Sequence, residues 1–573
     1  MVSQFARRTI LMALMLILVG CRTPAATEPS HPPLTESPTV APEENERAVP
    51  PVSAITLPPT GTDGYPWWND TVWYEVFVRS FYDSDGDGIG DIQGLIQKLD
   101  YLNDGNPTTT SDLGVTGLWL MPVMESPSYH GYDVVDYYQV EADYGNNEDF
   151  KQLMEEAHQR GMRVIVDMVL NHTSSQHPWF QAAREGDAER EAWYIFHEGE
   201  RPTEFAPWGG GNIWHPAGEN RSYYGIFWSE MPDLNYENPA VTREVETITQ
   251  FWLEEMGADG FRLDAIRHLI ETDGVLEHTE ETHTWLEEYH NYVRSIEPDD
   301  FIVGEVWSPT DQVIPYIGEE LDTAFEFTIA QNILDAANNE NAGTARFAYA
   351  IATQNYPDQQ FAPFIANHDQ NRAFSTLKGN MDHMKMAAAM LLTGPGTPFI
   401  YYGEEIAMRG MKPDEDIRKP MSWTGDEAAG FTTGTPWRDF SQDYETNNVA
   451  AMSEEPESLL NLYRRLIALR NEHEALRIGE YLVLQSSTNG IYPFIRQSND
   501  ETLLVLHNLT GDPISDYRLS LKAGAQVDEG APAELFQGAT VMPLLPDEQG
   551  GFTEYTPIQT LEPYRTYIIQ LRP

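Results

Sequence analysis

Several short apolar runs in this chain each lead into a single acidic residue. Gly260 to Leu263 is followed by Asp264, Phe301 to Val303 by Gly304 and Glu305, and Phe361 to Ile365 leads on to Asp369. Runs so short and so uniformly apolar read as strands buried on both faces, which is the habit of parallel strands. Eight can be placed from Trp67 onward: Val72 to Val78, Gly117 to Leu120, Arg163 to Val169, Gly260 to Leu263, Phe301 to Val303, Thr323 to Phe327, Phe361 to Ile365 and Pro398 to Tyr401. Helical patterns separate them. This rhythm predicts an α/β fold, a (β/α)8 TIM barrel, whose functional groups gather at the strand ends.

A chain of 573 residues, 41 % hydrophobic and 11 % aromatic, is long enough for several domains. The barrel is expected over residues 63–475. Between the third and fourth runs, residues 172–231 are crowded with Trp, Tyr, Gly and Pro and lack sustained periodicity, which marks an insertion. After the helix-like stretch Ser458 to Glu472 the pattern turns to alternating strands with turn signals such as Ser498-Asn499-Asp500, so residues 476–573 read as a C-terminal antiparallel β-sandwich domain. No internal repeat is visible.

The N-terminus has a different character. Arg7-Arg8 followed by the apolar Leu11 to Val19 is too short to span a bilayer as a stable helix and reads as an export signal over residues 1–20. The only cysteine, Cys21, follows Leu18-Val19-Gly20 in a pattern similar to a bacterial lipobox, where the new N-terminal cysteine is acylated; the alternative is an ordinary signal peptide with an incidental cysteine. Residues 21–62, rich in Pro, Thr, Glu and Ala, cannot bury a core and read as a tether. The expectation is a protein lipid-anchored to the cell surface or an envelope membrane. No disulfide can stabilise it, so size and bound metal must do so. A net charge of −55 repels nucleic acid and anionic lipid, so a neutral substrate fits, with the membrane touched only through the anchor. The acidic surface suits either a saline habitat or an ordinary secreted enzyme.

Taken in order, Asp167-Met168-Val169-Leu170-Asn171-His172, Asp264 in GFRLDAIRH, Glu305 in FIVGEVW and Asp369 in FIANHDQNR closely resemble the four signature segments of the α-amylase family, glycoside hydrolase family 13. The resemblance covers roughly Trp67 to the C-terminus. It implies a retaining glycoside hydrolase in which residues 172–231 form domain B and the C-terminal strands form domain C. It also implies Asp264 as nucleophile, Glu305 as general acid/base and Asp369 as the brace for the distorted sugar. Arg262, His172, His268 and His368 would bind substrate, and Tyr132, in Ser128-Tyr129-His130-Gly131-Tyr132-Asp133, would stack on the sugar. His130 has no assigned role. The residues themselves add an electrostatic expectation. Arg262 precedes Asp264 by two on one strand, so both side chains point into the barrel mouth and the guanidinium favours the charged carboxylate. Glu305 has no cation in its own motif, which suits a raised pKa and the acid role.

Asp83, Asp85, Asp87, Ile89 through its carbonyl, and Asp91 occupy the first, third, fifth, seventh and ninth positions of an EF-hand-like loop, but Gly94 stands where that motif has its bidentate Glu. Oxygen ligands select Ca2+; the alternative is a solvated acidic turn. By resemblance, Asn171 and Asp233 match ligand positions of a second calcium in classical α-amylases.

Specificity is expected from three places. Met231-Pro232-Asp233-Leu234-Asn235 resembles the segment of members intermediate between oligo-1,6-glucosidases and neopullulanases. Ala265, small where α-1,6-preferring relatives carry Val, leaves room for an α-1,4 aglycone in starch, maltodextrins or malto-oligosaccharides. Asp133 and Arg418 resemble the pair that closes the non-reducing end in exo-acting relatives; if they stand apart, endo action follows. The rival readings are an exo-acting α-glucosidase, a transglycosylase or sugar isomerase, and a non-catalytic glucan-binding surface lipoprotein. A monomer is expected. Cys21→Ser is expected to release the protein from membranes on fractionation, and unchanged partitioning would refute the anchor.

Overall fold

The structure is a computed structural model and describes residues 60–528 and 532–573. The expected export signal, Cys21 and the tether as far as residue 59 lie outside the described residues.

Seven parallel strands form one curled sheet: β1 (Trp73–Val76), β2 (Gly117–Leu120), β3 (Arg163–Met168), β4 (Gly260–Leu263), β5 (Phe301–Gly304), β6 (Thr323–Ala324) and β7 (Phe399–Tyr401), in the spatial order β6-β5-β4-β3-β2-β1-β7. The seventh apolar run of the sequence, Phe361 to Ile365, fills the gap between β6 and β7 without becoming a regular strand. Ala362 N donates to Ala324 O at 2.9 Å on one side, and Phe399 N donates to Pro363 O at 2.9 Å on the other. Pro363 has no N–H to return, which breaks the ladder while the chain still closes the ring. Eight rungs thus complete a (β/α)8 barrel. Two predicted strands are shorter than expected by three residues each. The first stops at Val76, and Val78–Ser80 turns into a 3-10 segment. The sixth stops at Ala324 because Glu326 caps a helix over Phe327–Asn338, accepting from Ile329 N at 2.8 Å.

Side chains alternate along each strand. In β1, Tyr74 and Val76 pack outward against the helices, whereas Trp73 joins Trp119, Ile165, Phe301, Val303, Phe325, Phe364 and Phe399 in a cluster of its own. The rings of Trp73 and Phe399 stack at 5.5 Å, and those of Trp73 and Phe301 at 5.1 Å. This aromatic floor fills the barrel interior and leaves the mouth at the C-terminal strand ends.

Between β3 and β4 lie a helix at Pro178–Glu185 and a three-stranded antiparallel sheet of Phe196–Glu198, Trp214–Gly218 and Arg221–Tyr224. Beyond the helix Leu459–Glu472, the strands Glu480–Val483, Ile491–Gln497, Thr502–Asn508 and Thr566–Arg572 pair antiparallel, and a second sheet joins Gln485–Ser486, Leu519–Leu521 and Phe552–Tyr555. A separate apolar core involving Leu484, Ile495, Leu504 and Phe552 lies in this region. Among the described residues no helix is long and apolar enough to cross a membrane.

Candidate active site

The register of the barrel brings three strands' polar residues together. Asp167 of β3 is level with Arg262 of β4, and Val303 of β5 lies on the other side of Arg262. Asp264 and Glu305 are the first residues past their strands. Arg262 is fully buried, and its Nη1 donates to Asp167 Oδ1 at 2.8 Å and to Asp264 Oδ1 at 2.5 Å. Its Nη2 lies 2.9 Å from Glu305 Oε2 but lacks the alignment of a hydrogen bond. Glu305 Oε2 instead accepts from Ala265 N at 3.1 Å.

This geometry corrects the electrostatic expectation. Burial pushes the Asp264 carboxyl up to about 6; Arg262 opposes that rise and the charge of Asp167 adds to it. Glu305 is raised as well, first by burial, with Arg262 opposing and Asp264 adding. The cation absent from the Glu305 motif arrives from the neighbouring strand. The difference between the two carboxyls lies in hydrogen-bond alignment to one shared guanidinium, not in possession of a cation.

Asp369 stands opposite on its own supports. Arg418 Nη2 donates to its Oδ1 at 2.9 Å, and His368 Nε2 is 3.1 Å from its Oδ2. Burial works against the charge, but the His368 cation and Arg418 hold Asp369 far below the usual carboxylate range. The expected partner of Arg418, Asp133, is elsewhere. It accepts from Ser126 Oγ at 2.9 Å and from Ser128 within its own loop, and it does not line the cleft. Among the described residues Asp133 and Arg418 form no ion pair; Asp414 is the second acid at Arg418, at 3.6 Å.

The cleft above these groups holds about 790 Å³. Tyr132 borders it, stacked on His368 at 5.5 Å and donating through its hydroxyl to Asp167 Oδ2 at 2.9 Å. His172 also lines it; burial lowers its pKa to about 4, so the neutral ring donates from Nε2 to Tyr132 O at 3.0 Å. His268 has both ring nitrogens committed to the protein, Nδ1 to Leu276 O at 2.7 Å and Nε2 to Arg267 Nε at 2.9 Å. It therefore offers its ring to the cleft instead of a free donor. His130 lines the rim, its Nδ1 accepting from Tyr132 N at 3.1 Å.

Sequence reading missed the aromatic walls. Trp208 stacks on Phe227 at 5.3 Å, and Trp307 stacks on Phe327 at 4.7 Å; both Trp side chains are about half exposed and line the cleft. They lie in or beside irregular loops, so no periodicity marks them. Glu75, Asp167 and Asp414 were missed as site residues too, because nothing in a linear motif says which side chains will converge.

The acidic loop brings Asp83, Asp85 and Asp91 oxygens within 4.8 Å of one another. It closes tightly at Gly88, where φ is 100° and a Cβ would lie 1.8 Å from Thr435 O. The Asp87 carboxylate is not among the converging three; its Oδ1 accepts from Ile89 N at 2.8 Å. That convergence of hard oxygens fits a calcium ion. Asn171 Oδ1 and Asp233 Oδ2, both buried without a hydrogen-bond partner, fit one as well. Glu271 raises the pKa of Asp233 further, after burial itself, and is a neighbour that sequence reading did not name.

Arg262→Met would leave Asp167, Asp264 and Glu305 buried without their cation, and is expected to destabilise the fold by about 3–5 kcal/mol in urea unfolding at neutral pH. A loss below about 1 kcal/mol would show that the cluster is solvated in solution.

Comparisons with known proteins agree with this architecture. Residues 75–479 match the alpha amylase catalytic domain. The chain is 40% identical over 453 residues to Alpha-amylase 3 of Dictyoglomus thermophilum, covering 78% of this chain and 85% of that protein. It is 34% identical over 523 residues to a trehalose synthase/amylase of Mycobacterium tuberculosis, covering 80% and 84%. Among solved structures, the alpha-amylase from H. orenii superposes with a TM-score of 0.77 at 38% identity, covering 88% of this chain and 99% of that one. With the family's catalytic domain matched over most of the barrel and the barrel itself closed around a carboxylate-lined mouth, the chain belongs to the α-amylase family of retaining glycoside hydrolases.

Proposed function

We propose that this enzyme hydrolyses α-1,4-glucosidic bonds within starch and maltodextrin chains. The observation that carries the endo-acting reading is that Asp133 and Arg418 form no ion pair, beside a cleft of about 790 Å³ with half-exposed Trp208 and Trp307 along it. Apolar ring faces suit successive glucose units, and no ion pair between those two residues closes the non-reducing end. The match to an amylase supports the same reading, and the small Ala265 next to Asp264 leaves room for the aglycone.

In this mechanism Asp264, ionised above about pH 6, attacks the anomeric carbon while Glu305 protonates the departing glycosidic oxygen. The bond to the leaving sugar breaks as the Asp264 ester forms. Glu305, now a carboxylate, takes a proton from water, whose oxygen displaces Asp264 and restores both groups. Asp369, held ionised by His368 and Arg418, faces the oxocarbenium charge that develops between these steps. Tyr132 stacks under the sugar, and His172 borders it.

Calcium would be held by Asp83, Asp85 and Asp91, with Asp87 and Ile89 on the same loop, and at a second site by Asn171 and Asp233. It supplies charge neutralisation that stiffens the loop and the junction beside His172. We further read residues 63–475, with 172–231 inserted, and 476–573 as separate modules of a monomer that Cys21 anchors by lipid.

A product chromatogram from starch, maltotriose, pullulan and isomaltose tests the reading. Maltose and longer maltodextrins should appear early from starch, and Asp264→Asn should abolish them. Glucose as the sole early product would favour the exo-acting alternative, trehalose from maltose the isomerase, and faster cleavage of isomaltose than of maltotriose would overturn the α-1,4 reading. Chelation is expected to lower thermal stability by about 2–3 kcal/mol if calcium is present at roughly a hundred times its Kd, and Asp85→Ala should remove much of that sensitivity. Metal analysis finding no calcium in the purified protein would discard both sites.

A further inference from the structure

Inside the barrel, below the groups discussed above, sits a carboxylate that the hydrolytic mechanism does not use. Glu75 is the third residue of β1, in register with Trp119 of β2 and Tyr401 of β7. Alternation turns it inward with Trp73, just above the aromatic floor, and it is 1% exposed. A charged side chain in such a place requires a partner. Its partner is His368: Nδ1 of that ring lies 2.6 Å from Glu75 Oε1.

The hydrogen bonds around His368 determine its protonation by donor and acceptor accounting. Nδ1 faces the Glu75 carboxylate. Nε2 faces Asp369 Oδ2 at 3.1 Å and the Tyr132 hydroxyl oxygen at 2.6 Å. The single hydroxyl proton of Tyr132 is given to Asp167 Oδ2 at 2.9 Å, so its oxygen accepts from the ring. With Glu75 and Asp369 ionised, both ring nitrogens have acceptors in front of them, and a ring carrying both N–H groups satisfies every contact. The edge of Trp119, 5.5 Å away, offers no competing charge.

We propose that Glu75 is a positioning residue: its carboxylate holds His368 as an imidazolium, which in turn fixes Asp369 and Tyr132 against the bound sugar. The inference rests on the glycosidase reading for what Asp369 and Tyr132 do, but the state of the ring is a property of the chain alone. The surroundings agree. Burial disfavours the ring's charge, yet Asp369 and Glu75 together push His368 up to about 10. The other charged or titratable groups near this pair are Asp167, behind Tyr132; Arg262, beyond Asp167; Arg418, whose Nε donates to His368 O at 2.9 Å; Tyr401; and Glu404. None of these meets Nδ1, so the deep side of the ring depends on Glu75.

Nitrogen NMR of the imidazole rings, with the His368 signal assigned by its loss in His368→Gln, tests this without substrate. The wild-type ring should be doubly protonated at about pH 8, where a free histidine is neutral, and should titrate at a clearly lower pH in Glu75→Gln, which keeps the shape and the acceptor but removes the charge. The ratio of kcat/KM for Glu75→Gln to that of the wild type should also fall at least about fivefold between roughly pH 5.5 and pH 8, a change that a merely structural role would not produce. A neutral ring in the wild type, an unaltered ring in Glu75→Gln, or a flat ratio would each overturn the proposal. Should Glu75→Gln fail to fold, a neutral wild-type ring would still overturn the proposal. A wild type that cleaves no glucan would defeat the glycosidase reading and leave the imidazolium result standing.

Discussion

One buried guanidinium organises the mouth of this barrel. Arg262 is shielded from water and reaches Asp167, Asp264 and Glu305 from three adjacent strands. A cation in that position would be costly alone, and so would each of the carboxylates. Together they are retained because the parallel register leaves no freedom: the side chains must meet, and only a planar fork with several donors can serve three acids at once. The catalytic candidates are therefore held by the same register that builds the fold.

Two layers support this arrangement from below and beside. The aromatic floor of Trp73, Trp119, Phe301, Phe325 and Phe399 fills the barrel, so the polar layer rests on a packed surface instead of on water. Beside Arg262, a second chain of contacts runs from Glu75 through His368 to Asp369 and is joined by Arg418. Carboxylates outnumber cations across the two groups. The mouth is thus biased toward negative potential, the sign that stabilises positive charge developing on a sugar ring, and the low dielectric of the floor strengthens that field.

The acidic loop and the Asn171–Asp233 junction present oxygens of the kind that suit calcium. Both carry carboxyl oxygens without a protein cation facing them, one pair of atoms buried without any partner. A divalent ion neutralises such a site without adding another long side chain near the cleft. The aromatic walls of Trp208 and Trp307 complete the mouth with uncharged surface, so a neutral chain can lie over a strongly acidic protein.

The sequence by itself determined the barrel, because uniformly apolar runs spaced by helices have few other ways to bury both faces, and it determined which carboxylates end those strands. It also showed the acidic loop, whose regular spacing needs no tertiary context. That Phe361 to Ile365 closes the ring as an irregular rung was legible too, in the missing N–H of Pro363, but the hydrophobic pattern alone reads it as a regular strand. The sequence could not show that Glu305 shares the cation of Asp264, that Asp133 turns into its own loop and leaves Arg418 to Asp369 and Asp414, or that Glu75 lies behind His368. Apart from the local turn of Asp133, these are contacts between residues far apart in the chain, some nearly three hundred positions apart. Periodicity tells which way a side chain points from its own strand; only the closed barrel decides what it meets there.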